Sequence, residues 1–209
     1  MINNSSVPLL RKPAYSKKGF TLIEIVTVVT IIVILMGILV PAILSIQKKA
    51  KIARSEVLFS RLINSLILYK KDYGFYPDVS GTESGGDVVI DLNNSDQWKR
   101  FAEVLALSLP DGSAIENPED NIELKQSNPK LKRYFGFRLS ELEKVGGSDQ
   151  LVDAFGNPHI FIVVDADLDN RIRKESLPGS EKRDLRQRIV VYTSDEGNDD
   201  FPELRTWDS

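Results

Sequence analysis

The longest uninterrupted apolar stretch in this 209-residue chain lies near its start: no side chain from 25 to 46 is charged, and Glu24 sits at the near edge of the run. As a helix rising 1.5 Å per residue, those 22 positions reach about 33 Å, enough to cross a hydrocarbon core of about 30 Å. Past residue 50 the pattern becomes striped. Ile52, Phe59, Leu62, Ile63, Leu66, Tyr69 and Tyr73 recur at helical spacing, while Lys51, Arg54, Ser55, Arg61, Lys70 and Lys71 fill the other faces. The pattern predicts one helix from about Phe20 to Tyr73, with Pro41 a place for a kink or loosened turn. Its second half carries an apolar face that packs on a folded domain. Gly74-Phe75-Tyr76-Pro77-Asp78 ends it by Gly and Pro punctuation.

The remainder alternates short apolar runs with polar, Gly- and Pro-rich segments. Residues 79–94 read as a loop holding only a strand-like Val88-Val89-Ile90. Ser95 or Asp96 is placed to cap a second helix through Ser108, burying Trp98, Phe101, Val104, Leu105 and Leu107. Residues 109–129 read as mostly irregular. Residues 131–142, with Tyr134, Phe135, Phe137 and Leu139, pack as either helix or strand. Two β-rich runs, 159–164 and 188–193, predict an antiparallel pair. The expected fold class is α+β: a long N-terminal helix on a small antiparallel sheet, with a loop-rich C-terminal region.

Charge sharpens this outline. The first 19 residues carry Arg11, Lys12, Lys17 and Lys18 and no acid, leaving 23 basic and 30 acidic residues in the rest, a formal −7. A net-negative domain argues against a nucleic-acid surface, which needs clustered Lys and Arg. The absence of cysteine excludes disulfides, thiolate metal sites and a cysteine nucleophile, and the single His159 excludes a multi-histidine site within one chain. The basic start reads as a leader, but the apolar run is too long for a conventional secretory signal, and Ser45-Ile46-Gln47-Lys48 offers no small-residue cleavage site. Lys48, Lys49, Lys51, Arg54 and Arg61 follow the span, so flanking charge alone leaves the topology open. Glu24 is the anomaly, because an ionisable group at a membrane-embedded position is costly unless paired.

Gly19-Phe20-Thr21-Leu22-Ile23-Glu24, preceded by Lys17-Lys18, resembles the processing signature of type IV pilins and of the pseudopilins of type II secretion. Pro41 also falls where that family's N-terminal helix commonly carries proline. The resemblance implies cleavage between Gly19 and Phe20 by a prepilin peptidase on the cytoplasmic face, followed by N-methylation of Phe20. It implies a leader at 1–19 that stays in the cytoplasm, a transmembrane and filament-core helix at 20–47, and an extracytoplasmic globular domain at 48–209. Assembly residues are then Phe20, Glu24 and Pro41; partners are further copies of the chain, other pseudopilins and an inner-membrane assembly platform. Leu68-Tyr69-Lys70-Lys71-Asp72-Tyr73-Gly74-Phe75-Tyr76-Pro77 resembles the major pseudopilin pattern. Asp153-Ala154-Phe155-Gly156-Asn157-Pro158-His159 resembles that group's Asp-Pro-Trp-Gly-Asn-Pro-Tyr, with Ala154, Phe155 and His159 as departures. Physically it reads as a tight turn feeding a strand. Lack of cysteine and the presence of Glu24 favour the body of a secretion pseudopilus. The alternatives are a pilin-like subunit for adhesion, motility or DNA uptake, and a membrane-tethered enzyme. The sequence has no Gly-x-Ser-x-Gly, His-Glu-x-x-His or P-loop to support the latter.

Two acidic segments are candidate Ca²⁺ sites. Asp165, Asp167 and Asp169 alternate like the start of an EF-hand-type loop, with Asn170 in place of its turn glycine and Glu175 one residue early for the bidentate ligand. A solvated hairpin neutralised by Arg171, Arg173 and Lys174 is the competing reading. The second segment, with Asp195, Asn198, Asp199 and Asp200, occupies the place of the loop that binds calcium in major pseudopilins, though it is shorter and lacks the glycine pair.

Overall fold

The computed structural model describes residues 19–79, 82–84, 86–177, 181, 183–195, 197, 198 and 201–207. The leader before Gly19 lies outside them. The chain forms two units, Met1–Ile46 and Gln47–Ser209.

Helix α1 runs Leu22–Tyr73. Pro41 lies inside it, without the amide that would otherwise bond the carbonyl of Gly37. Among the described residues of the first unit the apolar side chains, Ile25, Val29, Ile32 and Leu39 among them, are all exposed. Thr27 and Thr30 return their hydroxyls to the carbonyls of Ile23 and Val26, at 2.8 Å each, so these two polar side chains are satisfied by the helix itself.

In the second unit α1 buries Ser55, Leu58, Phe59, Leu62, Ser65, Leu66 and Tyr69. Four antiparallel strands follow the spatial order β1-β2-β5-β6: β1 is Thr82–Ser84, β2 Asp87–Asp91, β5 Ile160–Asp165 and β6 Ile189–Thr193. Ile160 faces Thr193 and Val164 faces Ile189. One face of the sheet, with Ile90, Ile160, Ile162, Val164 and Val191, joins the core under α1. The other, with Val163, Val190 and Tyr192, is covered by Ile172, Leu177, Leu185 and Trp207. Cover on both faces is why the two predicted strands read as unbroken apolar runs rather than alternating ones.

Several expectations change. Part of the 79–94 segment is sheet rather than loop: β1 and β2 pair there, β2 takes in the strand-like Val88-Val89-Ile90, and it holds its strand geometry through β5, a partner far along the chain. Helix α2, Ser95–Phe101, is capped by Asn94 rather than by Ser95 or Asp96; its side chain accepts from the amides of Asp96 and Gln97. The chain continues as a π-helical turn, Ala102–Ala106, and ends on Leu107 at φ 50°, which leaves Leu107 half-buried. A short α3, Ile122–Ser127, interrupts the irregular segment before residue 129. Residues 131–138 are neither helix nor strand. They bury Phe135 and pack Tyr134 and Phe137 on the core, whereas Leu139 is 81% exposed. The hairpin β3 (Leu142–Val145) and β4 (Ser148–Leu151) follows, turning on Gly146 and Gly147 at positive φ.

The turn before β5 is organised by Asp153. Its Oδ1 accepts from the amides of Phe155 (2.8 Å) and Asn157 (3.0 Å), and its Oδ2 from the Ser55 hydroxyl of α1 (3.3 Å). His159 stands at the strand start with Nδ1 3.2 Å from the Asn93 side chain, a structural position. Burial pushes the Asp153 carboxyl above its usual range, against the backbone and Ser55 donors that pull it down. A carboxyl raised in the folded state adds stability while protonated, below the ordinary value near 4; that contribution is lost as pH rises through the folded value. Asp153→Asn, which keeps an acceptor for both amides, is therefore expected to gain stability relative to wild type between pH 4 and 7. Asp153→Ala strands those amides and is expected to cost about 1–3 kcal/mol. Urea denaturation at the two pH values checks both; an Asn variant that tracks the wild type across that range contradicts the burial argument.

Candidate functional site

The head of α1 is built by a capping box. Thr21 precedes the first helical residue, and the Glu24 amide bonds its hydroxyl at 3.3 Å. The Glu24 carboxylate reaches back, Oε2 accepting from the Thr21 amide and hydroxyl at 2.8 Å each. Both bonds use the same oxygen, so Oε1 is available to an outside cation. Phe20, one residue before Thr21, is 83% exposed. Gly19, Phe20 and Glu24 thus lie together at the N-terminal end of the helix, and Pro41 lies far along it. The partner that sequence reasoning missed is Thr21. Its signal was present, since Thr-x-x-Glu before an apolar run is a helix-start signature.

The acidic loop after β5 places Asp165, Asp167 and Asp169 so that one carboxylate oxygen from each lies within 4.8 Å of the others. Asp165 is fully buried and accepts from the amides of Asp169 (3.1 Å) and Asn170 (3.0 Å). Asn170 has φ 63°, the left-handed geometry the turn position requires. Of the three basic residues expected to neutralise the loop, Arg173 does so: its Nη2 is 2.8 Å from Asp167 and 3.1 Å from Asp169. That guanidinium holds the Asp167 carboxyl below its usual range. Arg171 and Lys174 contribute backbone amides instead, to Asp169 and Asp184.

A residue missed from sequence joins this loop. Asp87 of β2 lies directly opposite Asp165 of β5. It is fully buried, and its Oδ2 accepts from the Arg173 amide (2.7 Å) and the Ser176 hydroxyl (2.9 Å). In the second acidic segment Asp195 and Asn198 form a turn, with the Asn198 amide 2.8 Å from the Asp195 carbonyl and the Gly197 amide on the Asp195 carboxylate. Asp199 and Asp200 lie outside the described residues.

A long N-terminal helix with small antiparallel sheets is consistent with the pilin-like fold. The head of that helix is specific: residues 15–40 match the prokaryotic N-terminal methylation motif, the signal of type IV pilins and pseudopilins. Gly19, Phe20 and Glu24 fall inside the matched segment, and Pro41 just beyond it. No curated protein and no solved structure shows significant similarity to the chain. The chain thus carries the precursor signal on which a prepilin peptidase acts, joined to an apolar helix suited to membrane anchoring.

Proposed function

We propose that the chain is a structural subunit of a type II secretion pseudopilus. It is cut between Gly19 and Phe20 on the cytoplasmic face, methylated at the new Phe20 amine, and assembled through its N-terminal helix, with the domain at 48–209 outside the inner membrane. The observation that carries this reading is Glu24, a carboxylate at the edge of a fully exposed apolar span. Cleavage creates a cation at Phe20, and the Glu24 of a neighbouring subunit neutralises it within an apolar bundle, where either charge alone costs several kcal/mol. Pairing of this kind sets the axial register between subunits. The missing amide at Pro41 gives the span one place to loosen as subunits pack. The other pseudopilins and the assembly platform are the further partners. The preference for secretion over a pilus rests on the 68–77 and 153–159 segments and on the absence of cysteine.

Mass spectrometry of the membrane form tests the chemistry: the mature chain is expected to begin at N-methylated Phe20. Any other mature N-terminus overturns the scheme. A gene neighbourhood of pilus rather than secretion components would move the assignment to a pilin-like subunit for adhesion, motility or DNA uptake.

A further inference from the structure

Basic side chains crowd the start of the second unit. No acid occurs from 25 to 55, and Lys48, Lys49, Lys51 and Arg54 follow within eight residues of Ile46, where the apolar run ends. Helix α1 continues through them, so at 1.5 Å per residue Arg54 is no more than about 12 Å beyond Ile46. All four are exposed, and among the described residues none forms an ion pair. The next cation along α1, Arg61, is by contrast held internally, by Glu141 and the Gly136 carbonyl.

The fold brings a second basic segment beside this turn of α1. Lys51, Arg54, Arg138 and Ser140 line one open cleft of about 790 Å³, and Phe155 forms part of its wall, with the Lys51 ammonium 5.3 Å from the ring centroid. Arg138 is exposed and also without an ion pair among the described residues. Of the carboxylates in the cleft, Glu141 is held by Arg61, and Asp153 is buried on Ser55 and the turn amides; Glu143 is the exposed one. Glu56 lines a different cleft, with Phe59 and Leu204. Five exposed cations, counting Lys48 and Lys49, thus stand against one exposed acid. Between the lining residues Arg138 and Ser140, Leu139 is 81% exposed, an apolar side chain set among cations.

We propose that this face, with Lys48, Lys49, Lys51, Arg54 and Arg138, docks on anionic phospholipid headgroups of the leaflet from which α1 emerges, and that Leu139 enters the headgroup layer. Charge complementarity and continuity with the apolar run select this occupant. The headgroup layer extends about 5–7 Å beyond each side of the hydrocarbon core, and a surface charge acts for about a further 8–10 Å in physiological salt. Basic residues next to a span are attracted to an anionic surface, and Lys and Arg lay their stems along apolar chain while their charges reach phosphate. The inference rests on the apolar run lying in a membrane, and not on cleavage at Gly19 or on a filament.

The chain has no cysteine, so Leu139→Cys can carry a single environment-sensitive fluorophore. The labelled full chain is placed in nanodiscs of phosphatidylcholine alone, or of phosphatidylcholine mixed with phosphatidylglycerol. Blue-shifted emission, quenched by nitroxide-labelled headgroups, is expected only with phosphatidylglycerol. It should fade as salt is raised to about 1 M, where the Debye length falls to about 3 Å. Lys51→Gln, Arg54→Gln and Arg138→Gln should each lower the docking equilibrium about fivefold. Lys125→Gln, at an exposed position of α3 outside the cleft, should leave it unchanged. Emission that is the same in both lipids, or that survives the three cleft substitutions made together, overturns the proposal. A shift that appears in phosphatidylcholine alone and grows with the number of chains per disc also overturns it, and would assign the face to a second copy of the chain.

Discussion

Replacing Glu24 by leucine is expected to leave leader cleavage and membrane insertion intact and to abolish filament formation. The reason is electrostatic: without the carboxylate, each incoming subunit would bring an unpaired Phe20 ammonium into an apolar bundle, at a cost of several kcal/mol per contact. Because Glu24 also closes the capping box on Thr21, the leucine variant alone does not separate the two roles. Glu24→Gln does, since its amide oxygen still accepts from Thr21 while the charge is gone. Thr21→Val is the converse, removing the hydroxyl and keeping the charge. If charge pairing governs assembly, the glutamine variant yields no sheared filaments by electron microscopy and the valine variant retains them. Normal filaments from Glu24→Gln would refute the pairing.

The largest effect on stability is expected at Trp98. It is 1% exposed, stacks on Phe101 with centroids 6.1 Å apart, touches Phe137 at 5.5 Å, and donates Nε1 to the Asp149 carbonyl of β4 at 2.9 Å. One side chain thus joins α2, the irregular 131–138 segment and the β3–β4 hairpin. Trp98→Ala should cost about 3–5 kcal/mol, a large share of a total stability of about 5–15 kcal/mol. Trp98→Phe, which keeps most of the burial and loses the hydrogen bond, should cost nearer 1 kcal/mol. Leu139→Ala, at an exposed position, should stay within about 0.5 kcal/mol. Thermal melts followed by circular dichroism read all three; an alanine variant that melts with the wild type would mean that Trp98 does not join these elements.

What the sequence made legible followed periodicity and family signature. Helix α1, the β5–β6 pair, and the burial of Trp98 and Phe101 were readable; the turn feeding β5 was expected on Gly156-Asn157-Pro158 but closes over Asp153–Gly156. Illegible elements owed their form to partners distant in sequence. Residues 79–94 look like loop by composition apart from Val88-Val89-Ile90; β1 is a strand because β2 lies beside it, and β2 is completed by β5. The β3–β4 hairpin was within reach, since Leu142-Glu143-Lys144-Val145 alternates into Gly146-Gly147. Ser55 and Ser65 interrupt the apolar stripe of α1 yet are buried, because each hydroxyl has a partner, in Asp153 and the Leu62 carbonyl. At the candidate sites, the alternating aspartates after β5 could be read directly. Asp87 could not, because only strand pairing brings it opposite Asp165.

The sheet ends in β6, whose outer edge is not left open. The Thr193 amide bonds the Leu204 carbonyl at 2.9 Å, the Thr206 amide bonds Val191 at 3.1 Å, and the Thr206 hydroxyl takes the Val191 amide at 3.1 Å. At the opposite edge, β1 has three residues. An uncovered edge invites another chain to add a strand, and crowded copies of one protein in a membrane would multiply that hazard. The segment around Leu204 and Thr206 works as a selvedge, closing that edge of the sheet to strand addition. Trimming the chain before Leu204 would expose β6 and divert subunits into disordered sheet-to-sheet aggregates.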